Sequence, residues 1–171
     1  MKLVIPDKTH KTGVMEYAQE FLAKHPEHIP GAPSLAKSDS YDTWLQSIAK
    51  DLHNIDPERV IATQYIAIDA NERIIGVIQL RHDLTPYLRE FGGHIGYSVR
   101  PSEQGKGYAT AMLHLCLDKA REVGLERVLV TCDDDNAGSR RVIEKAGGVL
   151  ENAVDNPTTG KQTLRFWIDI L

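Results

Sequence analysis

Between Val99 and Thr110 the chain reads Val-Arg-Pro-Ser-Glu-Gln-Gly-Lys-Gly-Tyr-Ala-Thr, and this is the stretch whose residue types best suit chemistry. Gly105, Gly107 and Ala109 leave the backbone uncovered where a helical pattern begins. The first turn of a helix carries four N–H groups without intrahelical partners. They point along the axis and bear roughly half a positive charge. A pyrophosphate suits such a place, with Lys106 adding a mobile positive charge and Thr110 a hydroxyl donor. Two common phosphate loops are excluded by spacing. Lys106 is followed by Gly107, so there is no G-x-x-x-x-G-K-[ST]. The residue three after Gly107 is Thr110, so there is no G-x-G-x-x-G. Both mismatches disfavour an NTPase and a dinucleotide oxidoreductase.

The elements that must position this loop alternate along the chain. Leu3–Ile5 reads as a short strand. Thr9–Leu22 and Tyr41–Leu52 carry apolar residues at helical spacing, the second through Trp44, Leu45, Ile48 and Leu52. The segment between them, His25–Ser40, holds three prolines and a glycine and reads as irregular. Val60–Ile68 and Arg73–Leu80 are rich in β-branched residues around Asp69–Glu72, a hairpin. Leu84–Phe91 has room for one or two helical turns. His94–Val99 is a strand stopped by Pro101. Gln104–Val123 is the clearest helix, with Tyr108, Met112, Cys116 and Ala120 on one face and Gly124 beyond its end. Arg127–Cys132 is a strand, Asn136–Ala146 a helix, and Val149–Leu150 and Thr163–Ile170 are strands. Asn152–Gly160 reads as their connection. The order β-α-α-β-β-β-α-β-α-β-β predicts an α/β (α+β) fold. Its core is a mixed, largely antiparallel twisted sheet of about six or seven strands flanked by about four helices.

The chain has 171 residues, 20 Lys+Arg against 24 Asp+Glu, and a formal net charge of −4. With 42% hydrophobic and 26% charged residues it can bury a core as one domain over residues 1–171. A pI near 6.0 excludes a chain held to nucleic acid by bulk charge, so an anionic ligand must be caught locally. No signal-peptide core and no run of 18 apolar residues occurs, so neither a membrane segment nor a targeting segment is expected. Cys116 and Cys132 lack metal-ligand spacing, so no metal is expected. They read as reduced, buried thiols of a cytoplasmic protein.

The loop and its setting resemble the acyl-CoA site of the GNAT N-acetyltransferase superfamily, whose pattern is Gln/Arg-x-x-Gly-x-Gly/Ala. Gln104-Gly105-Lys106-Gly107-Tyr108-Ala109 matches it. His94–Val99 stands where the family has a strand, and Asn136-Ala137-Gly138-Ser139 where it opens its last helix. Gly147-Gly148 stands where the family usually has Gly-Phe. The likeness is strongest over Val60–Val149, the cofactor-binding core. Gly92–Pro101 is similar to a subgroup of bacterial predicted acetyltransferases. The resemblance implies acetyl-CoA as co-substrate and a primary amine, on a small molecule or peptide, as acceptor, attacked directly in a ternary complex. It implies that backbone amides from Gln104 to Ala109, with Lys106, Tyr108 and Thr110, hold the pyrophosphate. Val99 would pair with the pantetheine like an added strand. Asn136 and Ser139 would sit beside the pantetheine or the thiol. For Asn136 a helix N-cap is an equally ordinary role, and both can hold at once.

Such transfer needs a group to accept the amine's proton. His94 is the first candidate, because imidazole titrates near neutrality and it lies on the strand before the loop. A strand histidine held only by hydrogen bonds is the plainer alternative. His82, in Arg81-His82-Asp83, is the second candidate, and Glu103, read as solvated, a distant third. Many family members carry a tyrosine acid seven residues after the asparagine, and that position here is Ile143. Either Tyr97 or Tyr108 substitutes, or water protonates the thiolate. Strand alternation sets Tyr97 opposite His94, so it looks poorly placed, and Tyr108 lies within the phosphate turn. The absent tyrosine keeps a second reading open, a non-catalytic acyl-CoA sensor. Asp133-Asp134-Asp135 would either draw in a cationic amine or favour the following helix, the stronger reading. Cys132 reads as packing. A dimer through the last strands is compatible with the sequence, and no feature compels it.

Overall fold

Alternating β-branched runs and amphipathic stretches fold here into one sheet covered on both faces. The computed structural model describes residues 1–53 and 59–171. Strands are β1 (Lys2–Val4), β2 (Ala62–Ile68), β3 (Ile74–Arg81), β4 (Ile95–Val99), β5 (Arg127–Asp133), β6 (Val149–Asn156) and β7 (Lys161–Asp169). Helices are α1 (Lys11–Lys24), α2 (Tyr41–Leu52), α3 (Tyr108–Glu122) and α4 (Ala137–Lys145). The sheet order is β1-β2-β3-β4-β5-β7-β6, antiparallel at every pairing except β4–β5. The expected element order holds throughout.

Two cores flank the sheet. On one face α1 and α2 pack Val14, Tyr17, Phe21, Trp44 and Ile48 against Ile66, Ile68, Ile74 and Val77. On the other, α3 and α4 pack Met112, Leu113, Cys116 and Ile143 against Ile78, Ile95, Val130 and Phe166. The consecutive Ile74-Ile75 pair reaches both cores, Ile74 one and Ile75 the other. The β2–β3 register shifts beside it, between Ala67 and Ile68, as a β-bulge does.

The larger departures from the expected boundaries have local reasons. α3 begins at Tyr108 rather than Gln104, because Gly105 (φ +77°) and Gly107 (φ +83°) take left-handed conformations that no helix continues through. The polar stretch from Asn152 is strand as far as Asn156, leaving a tight turn in which Gly160 N–H bonds Asn156 O at 2.9 Å. As the sheet's edge, β6 leaves Glu151, Asn152 and Asp155 exposed, while Asn156 at its end is buried. The helical turns expected at Leu84–Phe91 become a wide turn of π-helix at Leu88–Gly92. The Arg165 guanidinium takes the Arg89 carbonyl, Thr131 Oγ1 that of Phe91 and Arg81 that of Gly92. The strand expected from Val60 begins at Ala62.

Candidate active site

β4 and β5 run side by side for one register pair only, Ile95 with Val130. The junction is locked from both strands. His94 N–H donates to Leu129 O at 2.7 Å, and Leu129 N–H donates to His94 Nδ1 at 2.9 Å. Gly93 (φ +64°) sits so close that a Cβ there would come 2.6 Å from Leu129 O. Beyond Ile95 the strands part and leave a wedge.

The β3 pairing decides what β4 presents to that wedge. Arg81 N–H donates to His94 O at 2.8 Å and Arg100 N–H to Ile75 O at 2.7 Å. Between these ends Gly96 pairs with Gln79 and Ser98 with Val77. Hydrogen-bonding direction alternates along a strand, so the N–H and C=O groups of Tyr97 and Val99 turn toward β5, where no partner strand meets them. Gln104 Nε2 reaches back to Val99 O at 3.3 Å.

The wedge opens into a cleft of about 900 Å³. At one end lie Gln104, Gly105, Gly107 and the first turn of α3 with Tyr108, Ala109 and Thr110. Gly107 caps α3 without a side-chain bond, and the first intrahelical bond is Ala111 N–H to Gly107 O. The N–H groups of residues 108–110 therefore lack helical partners. A Cβ at Gly105 or Gly107 would meet nothing within 4 Å, so that end is an open, uncovered backbone turn that fits a phosphate group. Along the middle lie Tyr97, Val99, Cys132, Asn136 and Ser139. Asn136 Oδ1 accepts from Ser139 N–H at 3.0 Å, so it caps α4 and lines the cleft together. The far end holds His25, His28, Gly31, Arg81 and Phe91.

Most of the expected cofactor residues thus meet in one cleft. Lys106 does not line it. Its Nζ pairs with Glu103 at 2.8 Å, so the mobile charge is spent on a neighbour. Glu103 is not solvated. It is buried between Lys106 and Arg73, whose hydrogen bonds hold its carboxyl below the usual range. Asp133 and Asp135 face Lys161 at 3.7 and 2.8 Å.

Neither histidine expected as the base is brought to the cleft. His94 is buried at the sheet junction, its Nδ1 taken by Leu129 and its ring edge-on to Trp167 with centroids 6.2 Å apart. Burial pushes its imidazole down to about 4. His82 lies outside the lining with Nε2 2.8 Å from Thr63 Oγ1, and burial lowers it too. The histidines that do line the cleft are His25 and His28, in the irregular segment that joins α1 to α2. Of the run Arg81-His82-Asp83, it is Arg81 that lines the cleft. Its strand parity, shared with Gln79 across from Gly96, is the signal that marks it.

Tyr97 is in the cleft after all. Its hydroxyl lies 2.8 Å from Ser139 Oγ, spanning from β4 to the first turn of α4. Alternation misplaces it because that argument assumes an unbroken sheet. Here the cleft cuts through the sheet plane, and Gly96, Tyr97, Ser98 and Val99 all line it. Burial pushes the phenol up to about 12, against a smaller opposing effect of the Ser139 bond, so it stays protonated. Ile143 is fully buried in the α3–α4 core. Burial also raises the Cys132 thiol to about 11, which keeps it from being a thiolate.

The sequence profile of the acetyltransferase (GNAT) domain matches residues 9–149. The chain belongs to the GNAT acetyltransferase family. Two relatives come from Bacillus subtilis. The uncharacterized N-acetyltransferase YnaD is 35% identical over 36% of this chain, and the match spans only 38% of that protein's length. The probable N-acetyltransferase YjcK is 28% identical over 64% of this chain and 67% of its own. Among solved structures, the ribosomal L7/L12 α-N-protein acetyltransferase RimL in complex with coenzyme A superposes with a TM-score of 0.73. It covers 98% of this chain and 92% of its own at 18% identity. A chimera of the spermidine N-acetyltransferase SpeG from Vibrio cholerae gives a TM-score of 0.67 over 99% and 96% at 16% identity. These structures share the GNAT fold. No helix among the described residues is long and apolar enough to cross a membrane.

Proposed function

We propose that this chain is an acetyl-CoA-dependent N-acyltransferase that acetylates a primary amine by direct attack in a ternary complex. The observation that carries the reading is the continuous cleft. It runs from the uncapped first turn of α3, along the inward-turned backbone of Tyr97 and Val99, to the Tyr97 hydroxyl. Membership of the family supports the co-substrate, and the amine acceptors named for RimL and SpeG support the acceptor class.

When bound, acetyl-CoA supplies an activated thioester. The chain's own residues do the rest. The N–H groups of residues 108–110 meet the pyrophosphate, and the edge of β4 at Val99 pairs with the pantetheine arm as an added strand would. The N–H of Tyr97, turned toward β5, is a donor to the acyl oxygen. Asn136 and Ser139 flank the thiol end. As the new C–N bond forms and the C–S bond breaks, the amine's proton passes to the imidazole of His25 or His28, directly or through water. The sulfur recovers a proton from the Tyr97 phenol, which Ser139 Oγ holds in place. His94 and His82 take no part in proton transfer. The sensor reading depends on the tyrosine missing at Ile143, and a phenol at Tyr97 removes that dependence.

The test is calorimetric titration with acetyl-CoA followed by thiol release over a panel of primary amines. Saturable binding and amine-dependent release are expected. Saturable binding with no release across the panel would favour the sensor, and no binding would remove the cleft as the site.

A further inference from the structure

The far end of the cleft carries a cation that no carboxylate among the described residues pairs with. Arg81 closes β3, and its side chain lines the cleft beside Gly96. Nη1 donates to the carbonyl oxygens of Gly92 and Gly93, each at 2.9 Å. Those bonds use both hydrogens of Nη1, and among the described residues Nη2 makes no hydrogen bond. Nη2 faces β4, 3.7 Å from where a Cβ at Gly96 would stand. No carboxylate among the described residues pairs with Arg81.

The surroundings reinforce the sign. The acidic residues that line the cleft are Glu103, already held by Arg73 and Lys106, and Asp133, which faces Lys161. At the Arg81 end the ionisable lining is His25, His28 and Arg81, in a chain whose net charge is −4. The opposite wall is fixed. Gln64 Nε2 holds Gly31 O at 2.7 Å and Ser98 Oγ holds Pro30 O at 2.6 Å. A Cβ on Gly31 would come 2.6 Å from Gly96 O, so the wall lies directly against β4 and the space beside Nη2 is small. Burial works against the guanidinium's charge, and an anion seated there would offset that cost.

We propose that Arg81 binds a carboxylate of the acceptor, so that the chain acetylates amines that also carry an acid group, amino acids in kind, and discriminates against polyamines. The planar fork of arginine suits a carboxylate in this narrow space. A polyamine would bring positive charges to an end whose described lining holds no carboxylate to pair with them. The proposal rests on the acyltransferase reading and adds the chemistry of its acceptor.

The experiment compares kcat/KM for glycine, β-alanine and 4-aminobutyrate with the same compounds as amides, with spermidine and O-phosphoethanolamine alongside. At least one acid is expected to exceed its own amide by about tenfold or more, mostly through KM, as loss of a charge-assisted hydrogen bond predicts. Arg81→Gln is expected to bring that ratio to near one while acetyl-CoA still binds. Because Arg81 also holds the Gly92–Gly93 turn, wild-type protein with coenzyme A is also titrated with N-acetylglycine and N-acetylglycinamide. The acid is expected to bind about tenfold tighter. Equal use of acids and amides, a preference for spermidine or for the phosphate ester, a ratio that survives Arg81→Gln, or equal binding of the two products each overturns the proposal. Failure of thiol release with every amine counts against acyl transfer alone, since the product titration still decides the role of Arg81.

Discussion

A histidine that closes a sheet should make the fold, not the chemistry, sensitive to acid. His94 accepts from Leu129 N–H through Nδ1 and is neutral because burial holds it near 4, against an ordinary value of 6.5. Its folded pKa is depressed, so the unfolded chain binds the proton first. The stability His94 contributes is full above about pH 6.5 and is lost as pH falls toward 4. At pH 5 the two values correspond to a loss of about 2 kcal/mol relative to pH 8. His94→Gln keeps an acceptor for Leu129 without a titrating group. Urea unfolding of both proteins at pH 8 and pH 5 measures the difference. The wild type should lose about 2 kcal/mol more than the variant across that interval. The pH–rate profile of acetyl transfer should keep any ionisation near neutrality in the variant, because His94 lies outside the cleft. An unfolding free energy that falls equally in both proteins, or a neutral kinetic step that vanishes with His94, would refute the assignment.

Further expectations follow from the cleft. Gly107→Val places a side chain in the open turn at φ +83° and should cost several orders of magnitude in acetyl-CoA affinity, as two or three charge-assisted bonds of about 1.5–3 kcal/mol each are lost. Calorimetry of the variant, with circular dichroism to establish folding, checks it. Tyr97→Phe removes only the hydroxyl and should lower kcat by about a hundredfold with acetyl-CoA affinity nearly unchanged. With the phenol near 12, the wild-type rate should show no alkaline fall from Tyr97 at ordinary assay pH. A loss below tenfold in Tyr97→Phe would return the sensor reading to consideration. Ile143→Tyr should not raise turnover. It should destabilise the fold by about 1–3 kcal/mol or more on urea unfolding, since Ile143 is fully buried and a Cβ at Gly148 would already lie 2.5 Å from its Cγ2.

What was legible in the sequence is what short-range chemistry determines. Glycines at 105 and 107 before an apolar period make an uncovered helix start whatever the rest of the chain does. The Asn136 cap is readable for the same reason. The role of His94 is not, because it depends on Leu129, 35 residues away across a parallel pairing. Lys106 reads as free only while Glu103 is taken as solvated, and that changes once Arg73 arrives from the β2–β3 connection. The polar run of β6 reads as a loop because edge strands tolerate residues that inner strands reject. Strand alternation assigns each β4 side chain its face correctly. It does not reveal that the sheet opens at Ile95, so that both faces and the strand edge border one cleft.

That opening also bears on the departure at Ile143. In the family pattern a tyrosine on the last helix faces the cleft, whereas this α4 turns the corresponding position into the core beneath Gly148. The hydroxyl then has to come from another element, and β4 is suitably built for it. A strand directs its backbone groups within the sheet plane and its side chain out of it. At Tyr97 the in-plane N–H points into the wedge because β5 has diverged, and the out-of-plane ring reaches Ser139 on α4. One residue therefore offers a backbone donor and a protonated phenol to the same cleft from two directions. On the proposed mechanism the first meets the acyl oxygen and the second the departing sulfur. This makes two demands on position 97 that no other residue of β4 can meet. An odd-numbered place turns the backbone toward β5, and an aromatic hydroxyl is long enough to reach α4. Val99 satisfies the first demand alone, and Ser98, whose backbone is committed to Val77, satisfies neither.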